Sequence, residues 1–387
     1  MEGFYGYKRA DGSVGTRNYV GVISCVVCVN EVVERIASQV QGAVRFTHSQ
    51  GCGQTMGDVH TVERTLASLG LNPNLHSVLL VSLGCESTDI EWVEEEIKKS
   101  GKRVERVVVQ QDGGSAKAAA KGILLVQDMV IEASKEVREL CPLDTLVLGL
   151  KCGSSDTTSG LIPNPAAGIV SDMVVAAGGT SVLGEVTEFV GAEHILVRHA
   201  ASGEVAAKIL ELVARMEKRA MAMGEDIRGG QPTQGNIKGG LTTIEEKSLG
   251  AIAKAGSAPI QAVYEYGERP DVKGLVIVNS PGKEPEILTA LAAAGCNVII
   301  FATGRGAPQG FPFVPVLKVT GSRTAARMMS DHIDMELSSV IFGDGTIQGS
   351  GEAMFKKLIS IASGELTKAE IIGYSNSMDI YTVGPVI

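Results

Sequence analysis

Aromatic side chains are scarce in this chain: Phe, Tyr and Trp together make up 4% of 387 residues, with a single Trp. A core without large rings must be filled by Val, Ile, Leu and Ala, and the 47 glycines supply turns and close approaches. That mixture suits buried parallel strands and alanine-rich packing helices. Long apolar runs are missing too. None approaches the ~20 residues that a membrane helix needs, so no membrane role is expected. The opening MEGFYGYKRADG lacks the apolar centre of a secretory signal, which makes the cytoplasm the expected location. Positive charge is in deficit, with a net charge of −9 and no basic patch, so no nucleic-acid partner is expected. An anionic ligand must therefore be met by local cations and helix N-termini. The seven cysteines are odd in number and scattered, which excludes a disulfide framework and points to reduced thiols. Cys25 and Cys28 form a CxxC at the end of a strand-like run, with no second pair to complete a zinc knuckle. No GxGxxG follows a first strand, and the turn TGRG lacks the Gly-Lys-Ser/Thr step of a phosphate loop.

What the chain does have is a repeated pattern of aliphatic run, tight turn and helix. Three of the runs break at a cysteine beside a glycine: FTHSQGC ending at Cys52, VLLVSLGCE at Cys85 and LVLGLKCGSSD at Cys152. Each reads as a buried strand ending in a turn, where α/β sheets carry their ligands. Strand patterns at 19–27, 43–47, 77–83 and 104–109 alternate with helix patterns at 31–40, capped by Asn30, at 59–69, up to Lys99, and at 116–140. A second series follows: strand 145–150, helices 166–177 and 203–222, strands 273–278 and 298–302, an extended 312–319 and a final helix 350–362. Such spacing implies parallel pairing. The expected fold is α/β, with parallel-sheet Rossmann-like units, helices on both faces and two domains. Cys141-Pro142 places the boundary between 1–140 and 141–387, and 229–240 (GGQPTQGNIKGG) reads as an irregular linker or substrate loop.

Several constellations carry chemistry. In GTRN, Arg17 has the fork that holds a carboxylate, with Thr16 and Asn18 beside it to orient hydroxyls. Cys28 and Asn30 stand where they would line a pocket mouth. His48 lies four residues before Cys52, a plausible metal-ligand spacing. Glu185 and Glu188, followed by Glu193 and His194, come directly after a strand and suit Fe²⁺, Mn²⁺ or Mg²⁺. The metal-ligand pool is thus His48, Cys52, Cys85, Cys152, Glu185 and Glu188. Lys238 between glycines and Arg305 in TGRG are the strongest anion-gripping cations. The turns QDGGS, KCGSSD and TGRG add Asp112, Gly113, Ser154, Thr303 and Gly304 as substrate contacts. Lys151 or Lys238 serves as a base if desolvation lowers its pKa.

As an ordered series, GTRNYVGV, SQGCGQ, LGCES, DGGS, KCGSSD, the stretch 184–194, GNIKGGLTTIEEKSLG and EILTALAAAG before TGRG resemble the altronate/galactarate dehydratase family. The resemblance runs from about Gly6 to Asp334 and extends to the large-subunit form found in sulfolactate sulfo-lyase. It implies β-elimination, as dehydration or desulfonation, from a 2-hydroxy acid such as altronate, galactarate or sulfolactate. It also implies a divalent metal, Fe²⁺ foremost. A variant of the same reading has Cys52, Cys85 and Cys152 holding an iron–sulfur cluster with one open iron. One-chain relatives carry an N-terminal domain of roughly 90 residues, an ordinary small-domain size. Here GTRN begins almost at once, so a separate small subunit and an oligomeric enzyme are expected. The alternative is a non-catalytic sugar-acid-binding or scaffold protein of the same fold.

Overall fold

Val20, Val22, Ile23 and Val78 to Val81 are completely buried, the pattern of strands covered by helices on both faces. In the computed structural model, which describes residues 3–375 and 378–387, they form the middle of a four-stranded parallel sheet. Its order is Ala43–Phe46, Tyr19–Ser24, Leu75–Ser82, Val104–Val108. Side chains alternate between its faces. Val20, Val22, Leu79 and Val81 meet the helices Asn30–Gln39 and Ser115–Ala133, while Ile23, Val78 and Leu80 meet Met56–Gly70 and Ile90–Lys98.

The second sheet has seven parallel strands in the order Ile260–Tyr264, Gly274–Val278, Thr180–Leu183, Val147–Gly153, Val298–Thr303, Val316–Thr320, Met335–Glu336. Helices Pro163–Ala176 and Ile347–Ala362 cover one face. Helix Glu284–Ala293 covers the other and shares its apolar cluster with Ile23, Leu66 and Leu80 of the first unit. The chain leaves Val147–Gly153 toward Thr180–Leu183 and later crosses back to Val298–Thr303 on its other side. The strand order therefore reverses between those two strands, and ligands in open α/β sheets bind outside the carboxyl ends at such a reversal. The first sheet has an equivalent reversal between Tyr19–Ser24 and Leu75–Ser82.

Local expectations differ from the structure where tertiary pairing overrides propensity. The helix expected to run to 140 stops at Ala133, and Glu139–Cys141 joins Phe4–Lys8 as an antiparallel strand, burying Phe4 and Cys141 against each other. Residues 229–240 are not irregular throughout. Ile227–Gly230 and Gln234–Lys238 are short helices, the second closed by a reciprocal Thr233–Asn236 capping box. Asn30 does not cap its helix; its amide donates instead to the His48 carbonyl at 2.8 Å. The strand expected from 312 begins only at Val316, because Pro312 and Pro315 have no N–H for a ladder. No helix among the described residues is long and apolar enough to cross a membrane.

Candidate active site

Strands Val147–Gly153 and Thr180–Leu183 run side by side, and the residues leaving their carboxyl ends converge. Lys151 points across to Glu185 and ion-pairs with Oε1, while Oε2 accepts the Cys152 backbone N–H at 2.9 Å. Glu185 adopts φ +70°, a left-handed conformation uncommon for a side chain with a Cβ. The turn is held by Ser280 Oγ, which accepts the Glu185 N–H at 2.9 Å. Cys152 donates its thiol proton to Glu188 Oε2 at 2.7 Å. From the 3₁₀ turn Ala253–Ala255, Lys254 reaches Glu185 Oε2 at 3.0 Å, Cys152 Sγ at 3.2 Å and Glu188 Oε2 at 3.4 Å. All six residues are buried.

This network balances its own charge, two ammonium groups against two carboxylates. Burial works against the charged form of each lysine. The surrounding carboxylates overcome that penalty, so both lysines are held above the usual range. Glu188 is held below its usual range, because Lys254, Lys247 and Lys151 outweigh its burial. Burial and the Glu188 carboxylate push the Cys152 thiol well up, which keeps it protonated. The donors of Cys152, Glu185 and Glu188 lie within 4.8 Å of one another, the spacing of a metal site. The cation that touches all three is Lys254. A divalent ion there would have to displace a buried ammonium, so the arrangement does not fit a resident metal.

Above this network three loops meet at the strand reversal. Ser154, with φ +50°, accepts the Arg305 N–H at 3.2 Å through its carbonyl. The Asn236 amide donates to the Ser155 carbonyl at 2.9 Å, and Thr157 N–H reaches the Gly239 carbonyl at 3.1 Å. Arg305 Nη1 donates to the Gly235 carbonyl at 3.2 Å. Gly304 must be glycine, since a Cβ there would lie 2.2 Å from Asp156 Oδ1. Thr303 is buried and its hydroxyl accepts the Gly306 N–H at 3.0 Å. The Lys238 and Arg305 side chains are exposed.

Residues 143–386 match the C-terminal domain of D-galactarate/altronate dehydratase, and residues 6–134 match the second domain of D-galactarate dehydratase/altronate hydrolase. The chain is 35% identical to (2R)-sulfolactate sulfo-lyase subunit beta of Chromohalobacter salexigens over 96% of its own length and 95% of that protein. It is 35% identical to the altronate dehydratase of Escherichia coli, covering 93% of the chain and 74% of the relative. With the galactarate dehydratase (L-threo-forming) of the same organism the identity is 33%, over 99% and 77%. The chain belongs to the D-galactarate/altronate dehydratase family. The relatives so named are lyases.

In this dehydratase-family chain several residues singled out from sequence have structural work instead. All five guanidinium N–H groups of Arg17 are taken, by both Glu370 oxygens and the carbonyls of Thr16, Ile361 and Glu365. No donor is left for a substrate carboxylate. Thr16 bonds the Asn297 carbonyl and Asn74, and Asn18 bonds the Ala133 carbonyl, all at the amino end of the first sheet. Asn30 is held by the His48 carbonyl. Asp112 accepts Val108 N–H and Lys121, fixing its turn, and Gly113 beside it takes φ +83°. Lys151 is locked as an ammonium, which removes it as a base. Cys52 and Cys85 are exposed on first-sheet loops, apart from the buried Cys152–Glu185–Glu188 group, so the six-residue ligand pool does not form one site. Glu193 pairs with Arg228 instead.

His48 is not a ligand either. Its Nε2 donates to the Ser24 carbonyl at 2.8 Å and its Nδ1 accepts Gln50 N–H at 3.1 Å. Burial pushes its pKa down from 6.5 to about 4. Below pH 6.5 the unfolded chain takes up a proton that the folded chain refuses, so His48 stability is full above that pH and lost as pH falls toward 4. Between pH 7.5 and pH 5 the loss is about 2 kcal/mol. Urea unfolding of a His48→Gln chain should show a pH slope shallower by that amount; an unchanged slope would contradict the neutral, buried assignment.

Sequence reasoning missed Lys254. Its only signal is a lysine inside the apolar stretch AIAKAG.

Proposed function

We propose that this chain carries out β-elimination on a 2-hydroxy acid, as the large subunit of a two-subunit dehydratase or sulfo-lyase. The observation that carries the reading is the meeting of loops 154–157, 235–239 and 303–306 at the strand reversal, with exposed Arg305 and Lys238 in a chain of net charge −9. Arg305 grips the substrate carboxylate, which acidifies the adjacent C–H and stabilises the enediolate that forms when it is lost. Lys238 takes that proton as the base, once covering by a partner desolvates its amine. The leaving hydroxide or sulfite departs from the neighbouring carbon, giving an enol that becomes the 2-oxo acid. The buried Lys151–Glu185–Lys254–Glu188 network holds the strand ends that carry loops 154–157 and 185–188. No step runs through an ion among its carboxylates.

The two-subunit form is supported by the relative named as a subunit beta, which this chain matches over 95% of that protein's length. The test is 2-oxo acid release from altronate, galactarate and sulfolactate, with the chain alone and with a matching small subunit of roughly 90 residues. Turnover of one substrate, dependent on the small subunit, is the expected result. Binding without turnover in both mixtures would favour a scaffold.

A further inference from the structure

We propose that Asp156 is a catalytic residue of the elimination, its open Oδ2 accepting the hydroxyl on the substrate carbon next to the carboxylate. The inference rests on the elimination reading and adds an acceptor which that reading leaves unassigned. Among the described residues four carboxylates are buried: Asp58, Asp156, Glu185 and Glu188. Both oxygens of Asp58 are filled, by the N–H groups of Val383 and Gly384. Glu185 and Glu188 are met by buried lysines. Asp156 has neither arrangement. Its Oδ1 accepts the Ser159 N–H at 2.8 Å and the Thr158 hydroxyl at 2.7 Å, capping the helix Thr157–Leu161. Its Oδ2 accepts nothing among the described residues and is not sealed from solvent. A carboxylate only 9% exposed, with no cation and one oxygen empty, is costly until a donor arrives.

The placement of this acid ties it to the proposed chemistry. A Cβ on Gly304 would lie 2.2 Å from Asp156 Oδ1, and one on Gly239 would lie 2.8 Å from the Asp156 Cβ. Bare backbone from two loops therefore walls the side chain. Gly304 precedes Arg305 and Gly239 follows Lys238, so Asp156 stands between the backbones that carry the two exposed cations. Thr157 fixes that position, its N–H and its hydroxyl both donating to the Gly239 carbonyl, at 3.1 and 3.2 Å. Arg305 Nη1 is turned to the Gly235 carbonyl, and neither cation forms an ion pair with Asp156 among the described residues.

A 2-hydroxy acid supplies the matching donor. With its carboxylate on Arg305, its C2 hydroxyl is one carbon away, and an ionised carboxyl oxygen can only accept. That bond is charge-assisted, and together with the Arg305 contact it fixes the direction of the C2–H bond toward Lys238. Asp156 also completes the proton balance. Lys238 takes the C2 proton, the C–H pair becomes the C2–C3 double bond, and the leaving group departs from C3 with its bonding pair. The product of that step is an enol. Asp156 Oδ2 takes the enol hydroxyl proton as the C2 carbonyl forms, while the double-bond pair takes a proton from solvent at C3. Asp156 then releases its proton to solvent.

Asp156→Asn tests the open atom alone. The side chain keeps its shape and its Oδ1 cap, but Nδ2 donates where Oδ2 accepted. The chain with its small subunit is titrated calorimetrically with altronate, galactarate and sulfolactate, each against the counterpart lacking the C2 hydroxyl. The wild type should bind at least one of the three about tenfold or more tighter than its counterpart, the scale of one charge-assisted hydrogen bond. Asp156→Asn should erase that preference and lower kcat about tenfold or more, with an unchanged melting midpoint. Asp156→Ser keeps a capping oxygen and lacks the open one, so it should read the same way. A preference retained in both variants overturns the assignment and leaves the elimination reading standing, as does a preference lost only along with the melting midpoint in both. A wild type that binds no member of any pair overturns the elimination reading and this assignment with it.

Discussion

A Lys254→Met chain should unfold with about 3–5 kcal/mol less free energy than the wild type at pH 7, because it strands a buried negative charge. Lys254 is 1% exposed and contacts Glu185, Glu188 and Cys152. Methionine fills similar volume, so little of the loss comes from a cavity. The pH dependence separates charge from packing. In the wild type the cations hold Glu188 below 4.5, so its contribution is present above that pH and lost as the pH falls. Without Lys254 burial dominates and the folded carboxyl rises above its unfolded value, so protonation on acidification relieves the variant. Urea unfolding at pH 7 and pH 5 should therefore show a penalty that shrinks at the lower pH. Adding Glu188→Gln to the variant should restore part of the lost stability. A penalty equal at both pH values would mean that Lys254 matters only for packing.

The same balance explains how the carboxylates in the metal-like group Cys152, Glu185 and Glu188 are neutralised by protein cations. A buried carboxylate pair needs positive charge nearby, and either a divalent cation or ammonium groups can supply it. Here Lys151 comes from the strand and Lys254 from a turn 102 residues beyond Cys152. Sequence shows the carboxylates and the thiol plainly. It does not show which cation meets them.

Legibility followed the range of the forces involved. Alternating strands and helices were readable because burial imposes a local period; helix Gly203–Ala222 has the bounds its pattern implies. The loops KCGSSD, GNIKGG and TGRG stood out because glycine and polar residues after a strand mark turns at a sheet edge, and the structure brings the three loops together. Arg17 was misread because its acceptors are Glu370 and carbonyls of Ile361 and Glu365, and backbone oxygens leave no trace in a sequence pattern. His48 was misread for the same reason, its partners being a carbonyl and an N–H. Lys151 was read as a base if desolvation lowers its pKa, yet Glu185 and the neighbouring carboxylates outweigh burial and hold it above the usual range. Cys28 looked like half of a CxxC, whereas the fold buries Cys25 and leaves Cys28 exposed.

Arg305→Ala should lower kcat/KM for the elimination substrate by about 100-fold or more, the scale of losing a charge-assisted, bidentate carboxylate contact. Among the described residues Arg305 makes one side-chain bond to protein, the 3.2 Å contact to the Gly235 carbonyl, and it is otherwise exposed. Its removal should leave the unfolding midpoint nearly unchanged. Arg305→Lys keeps the charge but loses the fork, so it should recover only part of the activity. The enediolate carries more negative charge on the carboxylate end than the substrate does, so kcat should fall along with the rise in KM. Arg17 supplies the contrast. With every donor engaged by protein, Arg17→Lys should lower stability through lost bonds to Glu370 and to the carbonyls of residues 361 and 365. Steady-state kinetics and thermal melts on the two variants therefore move in opposite columns. If Arg305→Ala keeps kcat/KM within twofold of wild type, the carboxylate is gripped elsewhere and the three-loop site is not where elimination occurs.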